Sequence, residues 1–198
     1  RHLLLHEGTH GFMNWALRGC GPPWYMEGMA ELLATHRWRD GELMLGYFPA
    51  TKEETPHLGR IKIIKNDVAD RLGKSLEQIM QYDATAHLRV EPYAWCWAAA
   101  MFFDRHPLTQ EKFRNLRRKA ADAGEAFSLR FYESLKPYWP RLSREWQLFA
   151  AHMDYGYSLE RERLEPRPVQ PLPVGGATVQ ISADHGWQSS GYVVEKGG

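Results

Sequence analysis

Within the first ten residues, His6-Glu7-Gly8-Thr9-His10 sets two imidazoles four positions apart with a carboxylate between them. On a helix that spacing puts both rings on one face, so both reach a single ion. Glu7 projects about 100° around the axis from His6, which makes it a poor third ligand and a good partner for a water held at the ion. The segment Pro23-Trp24-Tyr25-Met26-Glu27-Gly28-Met29-Ala30-Glu31 adds the acid such a centre needs. Two His and one carboxylate leave a fourth tetrahedral position open, the arrangement of a catalytic rather than a structural zinc. A water there has its pKa lowered towards ~7, and Glu7 takes its proton as general base.

The elements that must position these groups read as helices. Residues 2 to 18 form one that is apolar on most sides, which predicts burial. Arg18-Gly19-Cys20-Gly21-Pro22-Pro23 breaks it. A second helix is expected over 24–38, with Glu27 and Glu31 one turn apart, then a short strand over 43–48 and a polar loop over 50–59. Helical patterns resume over 61–71, 76–82, 91–106, 109–135 and 142–164. The stretch from Glu165 to Pro173 is a Pro-rich linker, and 177–182 alternates like a strand. The division is a domain over 1–165, a linker over 166–176, and the start of a β-rich module over 177–198.

Lys plus Arg number 25 against 24 Asp plus Glu, so no net field points to nucleic acid or an anionic membrane. No apolar run approaches the ~18 residues that span a bilayer. Hydrophobic residues at 43% suit a packed core, and the 8 Trp and 9 Tyr are read as core before cleft. Cys20 and Cys96 lack metal-site spacing and are read as one disulfide or two separate thiols. His36, His57, His106, His152 and His185 show no ligand spacing either. The chain opens inside the His6–His10 helix and closes in strand-like sequence, as expected of a piece of a longer protein.

The run His6 to His10 followed by Trp24-Tyr25-Met26-Glu27-Gly28-Met29-Ala30-Glu31 resembles the gluzincin group of zinc metallopeptidases, which includes thermolysin and the aminopeptidase N family. It is most similar to a bacterial branch of the peptidase MA-like superfamily, where H-E-x-x-H-Q and W-L-x-E-G-x-A-E recur with a later Tyr-Ala-x-x-Trp helix. The similarity covers about residues 2–105. Gly11 stands where Gln is common, and Tyr25-Met26 replace Leu-Ser or Leu-Asn; neither change touches a ligand. The resemblance implies a mainly α, zincin-like metallopeptidase domain whose small upstream sheet lies outside this chain. It also implies one Zn2+, a peptide or protein substrate, and an exported protein.

Carried over residue by residue, the resemblance makes His6, His10 and Glu27 the ligands and Glu7 the base. Sixteen residues separate Glu27 from His10, slightly fewer than in thermolysin, so the intervening loop is expected to be tight. Glu31 is the alternative ligand, but its offset matches the acid that orients the first zinc-binding His by accepting its N–H; its bland reading is a solvated carboxylate. Tyr93 matches the oxyanion-stabilising Tyr of aminopeptidase N-like enzymes, or else is a core Tyr with its hydroxyl satisfied locally. His87 is a weaker candidate for the same role. In the tail, Trp187-Gln188-Ser189-Ser190-Gly191 resembles the opening of galactose-binding lectin-like modules, which implies carbohydrate contact, or is an ordinary strand-turn-strand. Beside the peptidase stand two alternatives: a catalytically silent zinc protein that binds a peptide or glycan, and hydrolysis of a non-peptide amide.

Overall fold

The computed structural model describes residues 1–55, 59–164 and 167–194. His57 and the residues Glu165 and Pro166 at the expected linker boundary lie outside the described residues. Secondary structure is mainly helical with a few short strands. The chain divides into two compact units, Arg1–Tyr157 and Ser158–Gly198. Among the described residues no helix is long and apolar enough to cross a membrane.

In the first unit the organising element is helix α5 (Val90–Arg105). Its first turn tolerates Pro92, because the N–H that proline lacks has no intrahelical partner there. Every residue from Ala94 to Phe103 is buried. A helix apolar all round must be covered on all sides. Helix α2 (Pro23–Ala34), opened by Pro23, is one cover. It approaches so closely at Gly28 that a Cβ there would lie 2.9 Å from the Cys96 carbonyl oxygen. Helix α1 (His2–Leu17) packs in turn on α2, and α3 (Arg60–Ala69) covers α5, where the Trp95 indole donates to Asp67 at 2.7 Å. Helices α6 (Gln110–Asn115) and α7 (Glu125–Leu135) bring Phe113, Phe127 and Phe131 around Trp24. From α8 (Trp139–Ala151), Trp146 meets Trp95 and Phe102. The short α4 (Leu76–Met80) is capped by Ser75 and Gln78 acting reciprocally.

Several sequence expectations change. Helix α1 buries only His6, Thr9 and Met13, while Leu3, Leu4, Phe12 and Trp15 face outward. The helix expected over 24–38 stops at Ala34. His36–Arg39 instead forms strand β1, paired antiparallel with β2 (Glu42–Leu45) in the register Trp38↔Leu43. The cause is Asp40-Gly41: both residues have positive φ, the conformation of a two-residue hairpin turn. The expected helix over 109–135 is broken between α6 and α7. There the Ala120 carbonyl accepts from Gly21 N–H at 2.7 Å, and a Cβ on Gly19 would meet that same oxygen at 2.6 Å. The chain opens at this point to receive the turn that joins α1 to α2. The expected helix over 142–164 ends at Ala151, beyond which Gly156 takes φ 76° and donates to the Pro49 carbonyl.

The second unit holds a one-turn helix α9 (Leu159–Glu162), capped by the Ser158 hydroxyl. Strand β3 (Gln170–Pro171) pairs parallel with β4 (Tyr192–Val193). Residues 177–182 form no strand. The Gln188 amide ties this segment down instead, accepting from Ser182 N–H and donating to Ser182 O. Among the described residues the pairing of β3 with β4 involves Gln170–Pro171 and Tyr192–Val193, so the alternation of 177–182 joins no ladder.

Candidate metal centre

Helix α1 delivers His6 and His10 to one face, and α2 delivers Glu27 opposite them. The two Nε2 atoms lie 3.1 Å apart, and Glu27 Oε2 is 3.4 Å from His6 Nε2 and 3.5 Å from His10 Nε2. Ligands of a tetrahedral zinc at roughly 2.0–2.2 Å are separated by roughly 3.3–3.6 Å from one another. The three atoms therefore form a triangle of the size of one face of that tetrahedron. Glu27 Oε2 is also buried without a hydrogen-bond partner. An orphaned carboxylate oxygen is costly in a protein interior unless a cation or donor meets it. The donor set thus fits a small divalent ion with nitrogen and oxygen ligands.

Charge is shared across this triangle. Burial of His6 disfavours its cation, but Glu27 and Glu31 outweigh burial and raise its pKa to about 9. Burial likewise works against the Glu27 anion, yet His10 and His6 lower its pKa to about 2.

Glu31 does not face the ion position. Its Oε1 lies 3.0 Å from His6 Nδ1, so the ring donates there and its Nε2 is the edge turned towards Glu27 Oε2 and His10 Nε2. Arg60, the first residue of α3, grips the same carboxylate with Nε at 2.9 Å and Nη2 at 2.7 Å. His2 Nε2 stands 3.5 Å from its other oxygen. Burial opposes the Glu31 anion, but His2, His6 and Arg60 hold its carboxyl well below the usual range. His2, His6 and Glu31 also lie close enough to be considered for a metal. The Arg60 guanidinium already balances that carboxylate, and His6 Nδ1 is committed to it, so this second group is a brace.

Arg60 is the residue that sequence reasoning missed. It follows a polar loop and shows no spacing relation to the His and Glu motifs; only the tertiary approach of α3 brings it to Glu31. Its guanidinium also stands 5.4 Å from the Tyr93 ring centroid. Tyr93, at the start of α5, lies 5.8 Å from the His6 ring, centroid to centroid. Its hydroxyl donates to the His87 carbonyl at 3.2 Å, so in this state it is engaged locally. His87 contributes that carbonyl and is itself exposed. Glu7 is exposed on α1 and close enough to Tyr93 to act on its hydroxyl electrostatically.

Three further histidines are held elsewhere. His36 Nδ1 contacts the Ala34 carbonyl, His106 is buried against Glu145, and His185 pairs with Asp184. Cys20 and Cys96 are free, buried thiols whose pKa values burial pushes up. Compared with protein-family models, with curated proteins and with solved structures, the chain matches none.

Proposed function

We propose that the chain is a zinc-dependent peptidase of the gluzincin type, built on a zincin-like domain. The observation that carries this reading is the triangle of His6 Nε2, His10 Nε2 and the otherwise unpartnered Glu27 Oε2. Its size suits three tetrahedral zinc ligands, and it sits beside a carboxylate that fixes one ring.

In this reading His6, His10 and Glu27 hold one Zn2+, and Glu31, clamped by Arg60, sets the tautomer and direction of His6. Zinc supplies Lewis acidity, lowering the pKa of water towards ~7 and polarising a carbonyl. Glu7, on the open side of α1, takes a proton from the attacking water and returns it to the departing amine. Tyr93 donates to the developing oxyanion after its hydroxyl leaves the His87 carbonyl.

Glu7→Gln removes the base without touching a ligand. Cleavage of a mixed peptide library by the zinc-loaded chain is expected to fall by about 10²–10⁴-fold in this variant, with zinc stoichiometry unchanged. Equal cleavage by both proteins would sink the assignment of Glu7. A second reading, a catalytically silent zinc protein that binds a peptide or glycan, draws on the engagement of the Tyr93 hydroxyl with His87. It predicts zinc and partner binding in both proteins and cleavage in neither.

A further inference from the structure

Beside Glu27, within the first unit, the helices form an open cleft of about 1130 Å³. It is at the upper end of the size range of small-molecule sites, or slightly beyond. Three of its walls are helical faces read at i, i+3 and i+4 spacing. Helix α2 contributes Pro23, Met26 and Glu27; α4 and its C-cap contribute Glu77, Met80 and Gln81. The face of α7 runs Glu125, Ser128, Leu129 and Tyr132. Hydrogen bonds lock the walls together: Trp24 Nε1 donates to Ser128 Oγ at 2.8 Å, and Ser128 Oγ donates to the Met80 carbonyl at 3.3 Å. The cleft is therefore a built feature of the helix packing, and the buried Glu27 side chain stands in its wall.

Its lining has one sign of charge. Glu77, Asp83 and Glu125 line it beside Glu27, and among the described residues neither Lys nor Arg does. None of Glu77, Asp83 and Glu125 is ion-paired among the described residues. Asp83 feels Arg89 at longer range, and Arg89 is itself paired with Glu91. Glu77 is half-buried and accepts from the Trp139 indole, which leaves it anionic and short of a cation. Between the carboxylates the surface is Met, Leu and aromatic: Met26, Met80, Tyr82, Leu129, Tyr132 and Trp139. Such a surface suits the methylene stem of a long basic side chain, whose charged end gains from aromatic faces and unpaired carboxylates together.

We infer that this cleft is the substrate-selecting pocket of the metal centre and that it selects a residue with a long basic side chain, Arg or Lys, next to the bond that is cut. The inference rests on the peptidase reading. Its test therefore measures binding and cleavage separately.

The probe is a set of peptides identical except for one residue: Arg, Lys, Phe, Leu or Glu. Binding is read by fluorescence anisotropy on the zinc-loaded Glu7→Gln chain. Arg and Lys peptides are expected to bind about tenfold tighter than Phe or Leu peptides, with Glu weakest. Adding Glu77→Gln and Glu125→Gln together shrinks the basic advantage below about threefold. Gln at 77 keeps an acceptor for the Trp139 indole. Glu125→Gln alone, at an exposed position, gives a partial loss and guards against misfolding of the double variant. Tightest binding of Phe or Leu peptides, or a basic advantage unchanged in both variants, overturns the pocket assignment. Cleavage by the native chain without basic preference overturns the pocket and leaves the peptidase reading standing. A basic preference in binding with no cleavage by the native chain does the reverse.

Discussion

Helices α1 and α2 supply the same centre under opposite structural conditions. Helix α2 buries Trp24, Tyr25, Glu27, Gly28, Ala30, Glu31, Leu32 and Ala34 between its neighbours. Helix α1 buries His6, Thr9 and Met13 along one narrow face and turns Leu4, Phe12 and Trp15 outward. The carboxylates therefore ride on a frame that packing determines, whereas the histidines ride on a helix held from one side. The brace on His6 compensates for this: Glu31 and Arg60 carry the rigidity of α2 and α3 across to α1 through hydrogen bonds. His10 lacks a matching brace, for its Nδ1 is buried with no hydrogen-bond partner among the described residues. The difference assigns the burden of precision to His6.

The contrast is broken most directly at two tryptophans. Trp24 has no exposed surface and stacks on Phe131 at 6.0 Å, whereas Trp15 is 84% exposed. Trp24→Ala is expected to cost about 3–5 kcal/mol in denaturant unfolding. Trp15→Ser is expected to stay within about 0.5 kcal/mol of the native chain. Similar costs at the two positions would mean that the outward face of α1 is covered.

A smaller effect is expected at the brace. Glu31→Gln keeps the shape of the side chain and removes its charge, and zinc affinity measured against a competing chelator is expected to fall about 10–100-fold. Unchanged affinity would show that His6 is positioned by α1 alone.

The glycines sharpen the comparison further. A Cβ on Gly28 meets Cys96 O at 2.9 Å and Ala100 Cβ at 3.1 Å, while one on Gly11 meets nothing within 4 Å. Gly28→Ala should destabilise the fold by about 1–3 kcal/mol, since backbone has to move. Gly11→Ala should stabilise it by about 0.5–1 kcal/mol through helix propensity. Opposite signs in paired thermal melts support the unequal packing of the two helices; a loss at both positions refutes it.

Legibility in sequence followed the range of the interactions. The His6/His10 spacing is a property of one helix, and so is the turn between Glu27 and Glu31, so both could be read directly. Asp40-Gly41 is a hairpin signal in the sequence itself, two residues past Trp38, where the expected helix ends. The break between α6 and α7 was less visible, because its cause is Gly19 and Gly21, about a hundred residues earlier in the chain. Apolar composition alone misjudged α1, since it counts hydrophobic residues without saying which of them find a neighbour.

What the sequence determined by itself is the local chemistry: which donors share a helix face, where glycine and proline interrupt a helix, and a mainly helical chain with nearly balanced charge. Only the tertiary structure decided that Arg60 reaches Glu31, that the Tyr93 hydroxyl binds the His87 carbonyl, and that three helix faces form a carboxylate-lined cleft beside Glu27. Spacing along a helix follows from a backbone geometry that every sequence shares. Contacts between helices depend on packing side chains from distant segments into one space, and no local pattern encodes that result.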